Sequence, residues 1–130
     1  EARELRREVE DLRRRAALGR VDELAGAAEN GLVIQLVDGI DQDGLRDLAI
    51  AIRDRDGIRA VVLATAPEGG GAALVSVVSP DSGLDAGALV AEAAKTIGGG
   101  GRPNPSLTII GGRAPEHLAE ALEQARAAAG

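Results

Sequence analysis

The spacing of apolar residues changes several times along this chain, and each change marks a different element. Leu5, Val9, Leu12 and Ala16 recur at 4-3-4 spacing with charges between them. That is one narrow helical stripe, wide enough for a coiled-coil seam or for docking on a neighbour. Val21, Leu24 and Ala28 carry the face past Gly19, where a kink is expected, to a stop at Asn30-Gly31. Residues 1–28 are thus predicted as an N-terminal helical segment. The unbroken run LVIQLV over 32–37 predicts a buried strand. Asp41 or Asp43 can cap a helix over 44–55, with Leu45, Leu48, Ala49 and Ile52 inward. RAVVLATA (59–66) and AALVSVVS (72–79) flank a Pro-Glu-Gly-Gly-Gly turn and read as a hairpin. A helix over 85–97 turns Leu89, Val90, Ala93, Ala94 and Ile97 inward, and Gly98 to Gly101 end it. LTII (107–110) is a short strand, and Pro115 opens a last helix to about 128. After the leading helix the order is β-α-β-β-α-β-α. This predicts an α/β fold over residues 31–130, one mixed sheet with flanking helices.

Composition narrows the physics. The 130 residues fit one domain, and no residue is aromatic, so the core must be built from Ala, Val, Ile and Leu. Cys is absent, which rules out disulfide and thiolate chemistry and makes the cytoplasm the expected setting. The first residues are charged and read as no signal peptide. Apolar runs fall far short of the roughly 20 residues of a membrane helix, so no membrane partner is expected. The chain starts at Glu1 and has no Met, which reads as a piece of a longer protein.

The net charge of −6 argues against a generally basic nucleic-acid binder, but the charge is uneven. Residues 1–20 hold seven Arg and five acids, and the acids concentrate in the remainder. One window departs from that. From Ala93 to Pro115 there are three cations, Lys95, Arg102 and Arg113, and no acid.

Gly98, Gly99, Gly100 and Gly101 lie inside that window. Side-chain-free backbone lets a ligand approach closely, and successive N–H groups can form an anion nest. Lys95 and Arg102 add positive charge, and Gly111-Gly112-Arg113 is a second basic turn. If the intervening strand joins the two turns, they form a concave rim suited to a phosphate backbone. The competing reading is a helix C-cap followed by a loop. The run is no P-loop, since no Gly-Lys-Ser/Thr follows, and it ends a helix rather than opening one.

IGGGGRP with its preceding helix and the later Gly-Gly pair resembles the DHH-associated domain, found at the C-terminus of alanyl-tRNA synthetases and in DHH-type phosphoesterases. The resemblance spans roughly 31–128. It rests on LVIQLVDGIDQDGLRDLAIAIRDRDG, AVVLATAPEGGGAALVSVV and LVAEAAKTIGGGGRP in that order. It implies a non-catalytic module that contacts the tRNA elbow and bridges other domains of a synthetase, a ligase. It nominates Gly98, Gly99, Gly100, Gly101 and Arg102 for RNA contact, with Lys95 and Arg113 beside them. The expected partners are an alanine-specific tRNA, the other synthetase domains and a second copy through Leu5, Val9 and Leu12. Two alternatives stay open: a self-association module with little RNA affinity, and the accessory substrate-binding domain of a phosphoesterase. The sequence departs from the family pattern at Asn104 and at Leu107 to Ile110 before the Gly-Gly pair.

Other chemistry is sparse. His117 is the lone histidine and, without Cys, no zinc site is expected. Asp41/Asp43 and Asp54/Asp56 read as helix caps and turns before they read as cation ligands. Ser76, Ser79 and Ser106 lack a nucleophile setting. No catalytic residue and no cofactor is expected. Arg13-Arg14-Arg15 belongs either to a solvated helix face or to an RNA-facing one.

Overall fold

The computed structural model describes residues 21–37, 40–66, 70–80, 82–99 and 104–129. The expected stripe Leu5, Val9, Leu12, the Arg13-Arg14-Arg15 triplet, and Gly100, Gly101 and Arg102 lie outside them.

Helix α1 (Val21–Gly26) leads into strand β1 (Leu32–Leu36), helix α2 (Gln42–Arg53), and the hairpin β2 (Ala60–Thr65) and β3 (Ala72–Val78). Short helices α3 (Ala86–Leu89) and α4 (Ala91–Thr96) precede β4 (Leu107–Gly112). A 3-10 turn at Pro115–His117 then enters helix α5 (Leu118–Ala129). The strands form one mixed sheet in the order β1-β2-β3-β4. The β1–β2 pair is parallel and the other two pairs are antiparallel. The α/β class and the element order are those expected from the sequence.

Sheet alternation divides the core in two. On one face Ile34, Val62, Ala64, Leu74 and Ile110 meet Leu89, Val90, Ala93 and Ile97 from α3–α4 and Leu118, Ala121 and Ala125 from α5. On the other face Val33, Val61, Leu63, Val75 and Val77 meet Leu45, Leu48, Ala49 and Ile52 of α2. Val21 of α1 is buried in this second cluster, and Leu24, Ala25 and Ala28 pack against it. The four α2 residues are the inner face expected from spacing, and all four are fully buried. Both faces of β2 and β3 are covered, which explains why these strands read as continuous apolar runs.

Two local differences from expectation have physical causes. The helix expected over 85–97 breaks at Val90, whose φ of −115° leaves the helical region while its side chain is fully buried. Packing there overrides helical continuity. Asp41 caps α2, accepting the Gly44 N–H at 2.7 Å, so the helix starts two residues earlier than spacing suggested.

Ser76 is the exception in an otherwise satisfied interior. It lies mid-β3 opposite Thr108 and is fully buried on the α3–α5 face, and its Oγ has no hydrogen-bond partner among the described residues. Thr108 Oγ1 is already engaged, donating to the Asn104 carbonyl and accepting the Asn104 N–H. An unpaired buried hydroxyl costs about 1–3 kcal/mol. Ser76→Ala should therefore raise stability by about 1 kcal/mol, a gain of a few degrees in Tm. Thermal unfolding followed by far-ultraviolet circular dichroism checks this, and a lower Tm would contradict it.

Candidate nucleic-acid interface

The glycine run begins where α4 stops, and its first two residues are engaged by the helix. Gly98 adopts φ +65°, the left-handed conformation that glycine reaches without a Cβ penalty. Its N–H donates to the Lys95 carbonyl at 3.1 Å, and the Gly99 N–H donates to the Ala94 carbonyl at 2.8 Å. This six-to-one plus five-to-two pattern is the Schellman helix terminus. These two amides are committed to the helix and cannot line an anion nest. At Gly98 and Gly99 the C-cap reading of the sequence holds, and the nest reading is corrected.

The two glycine turns do meet, as the rim required. A Cβ on Gly99 would lie 2.7 Å from the Gly111 carbonyl oxygen and 2.7 Å from Ile110 Cγ2. A Cβ on Gly112 would lie 2.7 Å from the Ile97 carbonyl oxygen, and one on Gly71 would lie 2.9 Å from the Gly112 carbonyl oxygen. The helix end, the end of β4 and the β2–β3 turn therefore meet so closely that none of these three glycines has room for a Cβ. The Ile97 carbonyl accepts the N–H groups of both Arg113 and Ala114, at 2.8 and 3.0 Å. Thr96 on α4 and Gln124 on α5 are joined by a side-chain hydrogen bond. The end of α4 is thus held from two sides. On the far side of the run, the Asn104 N–H donates to Thr108 Oγ1 at 2.9 Å.

Of the expected cations, Lys95 and Arg113 are described, and both are exposed. Lys95 Nζ lies 3.8 Å from Glu92 Oε1, with the two side chains 78% and 72% exposed. A pair this exposed neutralises Lys95 weakly and reversibly. The acid-free sequence window began one residue too late to include Glu92, which returns one helical turn below Lys95. Among the described residues Arg113 meets no carboxylate. The Arg113 N–H that binds Ile97 fixes its backbone at the helix terminus.

The remaining candidates have structural occupations. His117 Nδ1 lies 3.6 Å from Glu120 Oε2 on the surface. Asp54 Oδ1 accepts two hydrogen bonds from the Arg53 guanidinium. No group of three or more His, Cys, Asp or Glu among the described residues could hold a metal ion. No helix among them is long and apolar enough to cross a membrane.

The glycine contacts separate two costs. Gly98→Ala meets open space and should lose about 1 kcal/mol from left-handed strain alone. Gly99→Ala drives a Cβ into backbone and should lose about 2–3 kcal/mol, as overpacking does. Denaturant unfolding of both variants measures the difference, and equal losses would contradict the seam.

The DHHA1 domain family model matches residues 29–130. An alanine–tRNA ligase from Desulforamulus reducens is 36% identical over 126 residues, 92% of this chain and 14% of that protein. A chloroplastic/mitochondrial alanine–tRNA ligase from Sorghum bicolor is 37% identical over 137 residues, 98% of this chain and 14% of that protein. The chain thus spans about a seventh of the length of either relative. The crystal structure of the C-Ala domain from Aquifex aeolicus alanyl-tRNA synthetase superposes with a TM-score of 0.66. It is 26% identical in sequence, and the match covers 76% of this chain and 91% of that one. With the family model matching residues 29–130, most of its length, the chain belongs to the DHHA1 domain family.

Proposed function

We propose that this chain is the non-catalytic, tRNA-docking part of an alanine–tRNA ligase, acting in the cytoplasm and bridging the ligase's other domains. The observation that carries the reading is the anchored end of α4, where Lys95 and Arg113 are exposed beside a backbone seam that admits no side chains. Similarity to alanine–tRNA ligases over most of the chain supports the synthetase reading over the phosphoesterase one.

The contact works through side-chain cations, because the Gly98 and Gly99 amides are already bonded. Phosphates are the natural target of such a rim. With no aromatic residue there is no platform for stacking bases, so recognition is by shape and backbone. The acidic remainder of the body keeps affinity modest, and the phosphates neutralised by the three cations make it fall as salt rises. Arg102, three residues beyond Gly99, is assigned to the same contact. Self-association through Leu5, Val9 and Leu12 is a separate property that deletion of residues 1–19 and sedimentation would isolate.

Alanine-specific tRNA binding by wild type and by the Lys95→Ala/Arg102→Ala/Arg113→Ala variant, titrated by fluorescence anisotropy at low salt, tests the proposal. The variant should bind at least tenfold more weakly. Its plot of log affinity against log salt should flatten by roughly 2–3 if each cation neutralises one phosphate. Unchanged affinity in a variant with wild-type Tm would remove the rim from the function.

A further inference from the structure

Strand β1 is an edge strand with an unusual liability. Residues 32–37, LVIQLV, carry no charge, no Pro and no Gly. A charge-free, β-prone run at a sheet edge is a template for strand addition, which proteins usually blunt with Lys, Pro or a bulge. None of these lies within the strand.

The hydrogen-bond pattern fixes which backbone groups are at risk. The Val37 N–H donates to the Ala64 carbonyl at 2.8 Å, and the Gly31 carbonyl accepts from Ala60 at 3.2 Å. By alternation Val33, Gln35 and Val37 face β2, so the backbone groups of Leu32, Ile34 and Leu36 point out of the sheet. Leu32 is covered by its own chain: it exchanges hydrogen bonds with Glu29 at 2.9 and 3.0 Å. Ile34 is covered from across the fold, where Arg126 of α5 donates to its carbonyl at 3.4 Å. Among the described residues Leu36 is left uncovered, and it is 49% exposed.

We propose that Arg126 is an edge guard, blocking the outward row of β1 from pairing with β1 of a second copy of this chain. The open row is self-complementary. With Leu32 spent on Glu29, a two-fold axis through Gln35 would set two copies antiparallel, Ile34 of each facing Leu36 of the other. The guanidinium occupies the Ile34 carbonyl that the Leu36 N–H of the second copy would need. Each copy carries that guanidinium, so both paired positions meet a charged side chain already in place. Glu123 Oε1 lies 3.8 Å from Arg126 Nη1, an exposed and weak pair on which the hydrogen bond to Ile34 does not depend.

Arg126→Met tests this, because it keeps the aliphatic stem and removes the donors and the charge. Its weight-average mass in sedimentation should rise with concentration above that of the wild type, toward a doubling. Adding Leu36→Lys to the same chain restores a charge to the edge and should return the mass to the wild-type value. Glu123→Ala, which leaves the Arg126 hydrogen bond in place, should sediment as the wild type does. A folded Arg126→Met with wild-type mass at every concentration would overturn the proposal, and so would association that Leu36→Lys fails to reverse. Loss of fold in Arg126→Met would overturn it as well, because a half-exposed guard should not hold the fold together.

Discussion

The junction on which the functional end depends is one carbonyl. Ile97 ends α4 with its oxygen accepting from both Arg113 and Ala114, so the last turn of a helix is tied to the exit from a strand. Such a junction closes only if nothing but backbone lies between the partners. Gly99 against Gly111 and Gly112 against Ile97 meet that condition, and Gly71 adds the hairpin turn to the same point. A methyl group at Gly99, Gly112 or Gly71 would have to displace a carbonyl. The glycines here are therefore chosen for what they leave out, and close packing explains them without a ligand.

That constraint suits a core with no aromatic side chains. Aliphatic residues bury less area each, so the fold relies on many close contacts in two thin layers, one on each face of the sheet. Two of the helices on the α3–α5 face are short, four residues at α3 and six at α4. Helices of that length have little stability alone. They persist because Leu89, Val90, Ala93 and Ile97 are fastened to the sheet, and because both ends of the pair are tied. At the start the Ala86 N–H donates to the Pro105 carbonyl at 2.9 Å, and at the finish the Ile97 carbonyl closes on the strand exit.

Much of this architecture was legible in the sequence. The runs at 60–65 and 72–78 are largely apolar because two helical layers sandwich those strands, a signal that survives without an alignment; the run at 32–37, expected to be buried, lies at the sheet edge and leaves Leu36 exposed. The inner face of α2 followed from spacing because a capped, amphipathic helix obeys a local rule. The break at Val90 was not legible, since it is set by what the residue packs against. The two glycine turns could be expected to meet, but not that their amides would be spent on the helix terminus. Hydrogen bonds from Gly98 and Gly99 depend on how α4 ends, and a run of four glycines is compatible with a nest or a cap. Glu92 beside Lys95 was missed for a simpler reason: charge was counted along the chain, whereas a helix surface brings together residues three and four apart.

Committing those amides limits what kind of contact the proposed RNA-binding rim could make. An amide nest binds an anion at a fixed point, with the backbone supplying geometry as well as field. Side-chain cations at the rim of a rigid seam supply field with looser geometry, and under the proposed function Lys95 would have to leave Glu92 for a phosphate. Exchange of one exposed carboxylate for a phosphate costs little, because the pair is solvated before and after. The arrangement favours a contact that forms and releases readily and tracks the shape of the RNA. Such a contact would suit the proposed docking role, in which tight binding at the periphery would slow release of product.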